Sequence, residues 1–175
     1  LERNVKLYGN EVALVELNPE IPENRRMTWK EYDLIQPTSD QPYRREITWN
    51  VFNEKANRFA NLLLSRGMKR GTKVGILLMN CLEWLPIYFG ILKTGALAVP
   101  MNYRYSSDEI KYCLDLSDSR MLIFGPEFID RVNAVKDKLT DIDDFYFVGD
   151  SDKTPEYADN YAQMTYYCST TVPPV

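Results

Sequence analysis

Residues 57–102, NRFANLLLSRGMKRGTKVGILLMNCLEWLPIYFGILKTGALAVPMN, decide the fold. Phe52, Ala56, Phe59, Ala60 and Leu63 recur at helical spacing, while Glu54, Lys55, Arg58 and Asn61 take the other faces. This pattern predicts an amphipathic helix that Gly67 can end in a left-handed cap. Lys73 to Met79 is a nearly continuous apolar run, as expected of a strand buried on both faces. Asn80 with Glu83 matches a capping box. Pro86 would cost an interior helical turn one hydrogen bond, so the following helix is expected to kink or to start near Leu85. Gly95 ends that helix, and Leu97 to Met101 forms the next strand.

Outward from this stretch the alternation continues. Ser106 with Glu109 makes a second capping box, Ile110 and Leu114 share one face of a third helix, and Met121 to Phe124 is a third strand. Phe128, Val132, Val135 and Leu139 predict a fourth amphipathic helix, and Phe145 to Val148 a fourth strand. Strands alternating with helices imply an open, mainly parallel α/β sheet with helices on both faces. Towards the N-terminus, Val12 to Leu17 reads as a strand, followed by a polar stretch holding Pro19, Pro22, Pro37 and Pro42. Two similar hexads, MTWKEY from Met27 and ITWNVF from Ile47, lack a third copy, so an insertion is preferred to a repeat. After Gly149 the chain turns acidic and ends in TTVPPV, which reads as a linker. The expected organisation is an N-terminal strand with a proline-bearing insertion over 1–45, an α/β subdomain over 46–150 and an acidic linker over 151–175.

The 175 residues suit one core, and a net charge of −4 lacks the basic footprint of nucleic-acid binding. Three cysteines (Cys81, Cys113, Cys168) form no C-x-x-C pair, and with no histidine in the chain they read as buried thiols of a reducing compartment, not a metal site. The most apolar stretch, Cys81 to Met101, is broken by Glu83, Pro86, Lys93 and two glycines, unlike a membrane span of about 20 residues. The expectation is a cytoplasmic protein without a transmembrane segment.

Thr48-Trp49, Asn57-Arg58-Phe59-Ala60, Gly67, Gly71, Val74, Asn80, Glu83, Leu92-Lys93-Thr94-Gly95-Ala96, Pro100 and Asn102 stand in the order of T-Y/W-x-E-L/F, N-R-x-A-x-x-L, G-x-x-x-G-D-x-V, N-x-x-E, L-K-x-G-A and P-x-N. In this ordered combination the chain resembles the N-terminal part of acyl-adenylate-forming, AMP-dependent ligases, over roughly residues 12–149. With the proline-bearing insertion and NCLEWLPIYFGILKTGALAVPMNYRYSSDEIKYCL, it looks most like a bacterial long- or medium-chain fatty acyl-CoA synthetase. Two positions depart: Val51 stands where a Glu would complete a box with Thr48, and Thr72 where an Asp would follow Gly71.

The resemblance implies an enzyme of fatty acid metabolism that joins a carboxylate to CoA through acyl-AMP, with ATP, Mg and CoA as cofactors of the full-length parent. No S-G-T-T-G-x-P-K loop, G-x-x-x-x-G-K-S/T or G-x-G-x-x-G occurs in these residues. The segment is therefore read as scaffold leading to a missing nucleotide-binding part. It should carry no catalytic residue or metal ligand, bind no cofactor alone and be inactive in isolation. A weak CoA-side candidate is the loop Asn102 to Ser106, in which Tyr103 and Arg104 precede a helix N-terminus beyond a strand's carboxyl end. Uncovered apolar surface makes homo-oligomerisation of the segment an expectation. The alternatives are a free-standing α/β binding or regulatory module, an interaction scaffold, or a ligase for an aryl or amino acid.

Overall fold

The computed structural model describes residues 1–17 and 44–174. The hexad MTWKEY and the four prolines of the insertion lie outside the described residues. Two compact units are present, Leu1–Phe52 and Asn53–Val175.

The first unit holds α1 (Glu2–Tyr8), β1 (Val12–Leu17), β2 (Arg44–Thr48) and the opening residues of α2 (Trp49–Ser65). β1 and β2 pair antiparallel, from Val12 opposite Thr48 to Leu17 opposite Arg44, with an irregularity between Val12 and Leu14. Arg45 and Glu16 face each other across the ladder as an ion pair. The Thr48 hydroxyl accepts from the Val51 N–H at 3.3 Å, so the hexad at Ile47 supplies the helix entry. Only one half of a capping box is made, because Val51 has no carboxylate to return the bond.

The second unit is built on five parallel strands: β3 (Lys73–Leu77), β4 (Leu97–Pro100), β5 (Ser119–Phe124), β6 (Asp144–Phe147) and β7 (Asp159–Asn160). They are ordered β4-β3-β5-β6-β7. Alternation along β3 separates two cores. Val74, Ile76 and Leu78 join Phe59 and Leu63 of α2, Ile87 and Ile91 of α3 (Trp84–Lys93), and Tyr161 of α6 (Tyr161–Tyr166). Leu77 points the other way, to Ile110 and Leu114 of α4 (Ser107–Leu116) and to Val132 of α5 (Ile129–Asn133). The sheet is thus parallel with helices on both faces, as the alternation of strand and helix predicts.

α2 ends as Gly67 requires. Met68 N–H bonds Leu63 O and Gly67 N–H bonds Leu64 O, both at 3.0 Å, around a Gly67 φ of 80°. This is the Schellman arrangement, open at low cost to glycine. At Gly90 the demand is space instead: a Cβ there would stand 3.0 Å from both Ala56 O and Phe59 Cδ1. α3 crosses α2 that closely because Gly90 has no side chain. Gly90→Val is expected to cost about 1–3 kcal/mol by overpacking, read as a lowered urea midpoint with an unchanged slope.

Three expectations are corrected. Asn80 and Glu83 form no box: α3 starts at Trp84 with Glu83 at its N-cap and no side-chain capping bond. From a start at Asn80, Pro86 would fall where its missing N–H is needed; from Trp84 it sits in the first turn, where no N–H is used. The delayed start near Leu85 is therefore observed. The fourth helix is not continuous but breaks into 3₁₀ turns at Pro126–Phe128 and Lys136–Lys138 around the short α5. Val132, Asn133 and Val135 are weak helix formers, and Val135 N–H bonds Val132 O, a three-residue turn. All four expected inward residues are nevertheless buried. Beyond Gly149, where acidic composition suggests a linker, the chain adds β7 to the sheet edge and α6 to one face.

Candidate functional site

From β3 the chain goes to one neighbour, β4, then returns past β3 to β5 on the other side. The carboxyl ends of β3 and β5 therefore flank the point where the strand order reverses, the usual ligand crevice of an open α/β sheet. Gly125 leaves β5 there, its N–H bonded to Leu77 O at 3.1 Å. The carboxylate Oε2 of Glu127 stands 2.9 Å from where a Cβ on Gly125 would be. An acidic group over a spent backbone donor does not suit a phosphate.

The loop after β4 brings Tyr103 and Arg104 together on one exposed turn. Arg104 N–H bonds Asn102 Oδ1 at 2.9 Å, which closes an Asx turn. The Arg104 guanidinium lies 5.3 Å from the Tyr103 ring centroid, and its Nε donates to Tyr103 Oη at 2.9 Å. Arg131 of α5 fastens the loop from beneath, donating to Tyr103 O at 2.7 Å and to Tyr105 O at 3.0 Å. The capping box of α4 is complete: Glu109 N–H reaches Ser106 Oγ at 3.4 Å, and Ser106 N–H reaches Glu109 Oε2 at 2.8 Å. These bonds from Ser106 hold the Glu109 carboxyl below its ordinary pKa. The N-terminus of α4 is thus already served by the chain's own carboxylate, and the anion-attracting group left on this loop is the Arg104 side chain.

A third cluster, on α2, was not separable from scaffold in the sequence. Asn57, Arg58 and Asn61 turn their donors onto the backbone at the end of α6 and just beyond it. Asn57 Nδ2 bonds Thr170 O at 2.8 Å, and Asn61 Nδ2 bonds Ser169 O and Thr171 O, each at 3.0 Å. Arg58 Nη1 bonds Cys168 O at 3.0 Å, Thr165 O at 3.4 Å and also Tyr166 O. The i, i+4 spacing of Asn57 and Asn61 was the available signal, but not what they hold.

The cysteines are free thiols. Burial pushes the Cys113 and Cys168 thiols above the ordinary value, which keeps them neutral. Among the described residues, no group of three His, Cys, Asp or Glu side chains is placed to hold a metal ion. No helix among them is long and apolar enough to cross a membrane.

The model of the AMP-binding enzyme family matches residues 1–165. The medium/long-chain-fatty-acid–CoA/3-oxocholest-4-en-26-oate–CoA ligase of Mycolicibacterium smegmatis is 37% identical over 105 residues, 60% of this chain and 19% of that protein. The crotonobetaine/carnitine–CoA ligase of Salmonella agona is 29% identical over 73% of this chain and 25% of that protein. Among solved structures, the anthranilate CoA ligase AuaEII in complex with anthranoyl-AMP superposes with a TM-score of 0.79 at 25% identity, over 99% of this chain and 28% of that one. The N-terminal domain of FACL13 from Mycobacterium tuberculosis gives 0.66 at 27% identity, over 75% and 31%. The chain spans only 19% and 25% of the length of these two curated relatives. With its parallel sheet, its ordered motifs and a family match over nearly its whole length, the chain belongs to the AMP-binding enzyme family.

Proposed function

We propose that the chain is the N-terminal part of an ATP-dependent acyl-CoA ligase, converting a carboxylate and ATP to acyl-AMP and pyrophosphate and then, with CoA, to a thioester and AMP. A medium- or long-chain fatty acid is the preferred substrate class. The observation that carries this reading is the 37% identity over 105 residues to a medium/long-chain fatty acid–CoA ligase. In this reading the described residues are scaffold. ATP, Mg²⁺ and the electrostatic work of adenylation are assigned to residues outside them, since no S-G-T-T-G-x-P-K or G-x-x-x-x-G-K-S/T pattern occurs in the sequence. Tyr103 and Arg104 are assigned to the CoA side on the strength of the exposed guanidinium held over the tyrosine ring. The protein works in the cytoplasm, where ATP and CoA are at hand.

An aryl-acid ligase is the second reading, favoured by the likeness to an anthranilate CoA ligase over 99% of this chain. A panel of carboxylates separates the two. The complete gene product, given ATP, Mg²⁺ and CoA, is expected to release AMP with medium- and long-chain fatty acids and not with anthranilate or benzoate. AMP release only with the aryl acids would keep the reaction and overturn the substrate class.

A further inference from the structure

A sheet edge presents peptide groups on which another chain can pair, and β7, of two residues, is too short to offer much of one. β4 is the longer edge, Leu97–Pro100, and among the described residues it pairs with β3 alone. Leu97 and Met101 turn their N–H groups inward, to Thr72 O at 2.8 Å and to Ile76 O at 2.9 Å. Peptide groups alternate along a strand, so residues 98 and 100 turn theirs outward. Pro100 has no N–H to offer there. Just before the strand, the Ala96 N–H is taken by the Thr94 hydroxyl at 3.2 Å, which leaves Ala98 as the edge's donor. Leu97 is 51% exposed beside it, so a strand added at this edge would also bury apolar surface.

We infer that Pro100 is an edge guard: by withholding an N–H it keeps β4 from pairing with the β4 of a second copy of this chain. Two copies meeting antiparallel about Val99 would set residue 98 of each against residue 100 of the other, a pairing in which each residue both donates and accepts. With proline at 100, the bonds from the Ala98 N–H to the facing Pro100 carbonyl can form, but the return bonds cannot. Half of that short ladder is therefore lost, and the apolar side chains of β4 do not bring copies together through this edge. The guard acts in this chain whatever reaction the complete protein catalyses.

Sedimentation equilibrium on residues 1–175 tests this, with amide exchange to locate the contact. In the unaltered chain, exchange at Ala98 should not change with protein concentration. Pro100→Val suits a strand and supplies the missing N–H. It should associate about tenfold or more tighter than the unaltered chain, with one bond regained from each copy. Its Ala98 amide should exchange more slowly as concentration rises, while the amides of Leu122 and Ile123 in β5 stay as they were. Far-UV circular dichroism checks the fold; should Pro100→Val fail to fold, Pro100→Ala restores the same donor and carries the same outcomes. A folded Pro100→Val chain that associates no more tightly than the unaltered one overturns the guard. So does tighter association without slower exchange at Ala98, or concentration-dependent protection of Ala98 in the unaltered chain.

Discussion

Replacing Phe59 with alanine is expected to destabilise the chain by about 3–5 kcal/mol, a large fraction of what holds a domain of this size folded. Phe59 is fully buried on α2 and meets two rings edge-on, Tyr146 of β6 at 6.2 Å between centroids and Tyr161 of α6 at 5.3 Å. Truncation would leave a cavity between a helix, the sheet and the residues beyond Gly149, none of which can close in without the others moving. Urea unfolding of the variant measures the loss. A double-mutant cycle with Tyr161→Ala should return a coupling of about 0.5–1.5 kcal/mol for the ring pair. Additive losses would mean that α6 is not part of this core.

Alkaline pH should weaken the fold through tyrosines. Burial pushes the Tyr146 hydroxyl up to about 12, with Arg66 nearby pulling the other way, and burial does the same to Tyr157, also to about 12. Tyr161, buried as well, is raised by the same cause. A phenol whose folded pKa lies above its ordinary 10.0 is neutral in the fold while the unfolded chain ionises. Stability is therefore whole below pH 10 and falls as pH rises from there towards 12. Tyr146 is 0% exposed and its hydroxyl has no hydrogen-bond partner. Tyr146→Phe should accordingly be neutral or stabilising by about 1 kcal/mol at neutral pH and should flatten the alkaline decline. Urea midpoints followed from neutral pH to about pH 11 check both signs; a steeper decline in the variant would contradict the assignment.

The fold was legible where one physical signal dominated. The apolar run at β3, the glycine caps at Gly67 and Gly95 and the Ser106–Glu109 box are local in cause, and the structure shows the glycine φ values and the completed box. Asn80–Glu83 misled because a capping pattern competed with Pro86, and the missing N–H of the proline decided the start of α3. Charge masked the residues beyond Gly149. Asp150, Asp152 and Glu156 gave a linker-like composition, while Tyr161, Met164, Thr165 and Cys168 repeat at helical spacing behind an Asn160 that caps Gln163 N–H at 3.1 Å. That stripe was readable. The clasp on α2 was not, because Asn57, Arg58 and Asn61 look like an ordinary polar helix face until a backbone more than 100 residues away (separations 107–113) is laid against it.

In the function proposed above, this chain is the scaffold end of an adenylate-forming ligase, and the residues of adenylation lie elsewhere in the protein. Exchange of labelled pyrophosphate into ATP tests it most directly, run in parallel on the complete gene product and on residues 1–175. The complete protein is expected to exchange label only when a fatty acid is present, whereas residues 1–175 should show no exchange and bind Mg·ATP more weakly than about 100 μM. Exchange by residues 1–175 alone, or a complete protein that exchanges no label with any carboxylate, would contradict it.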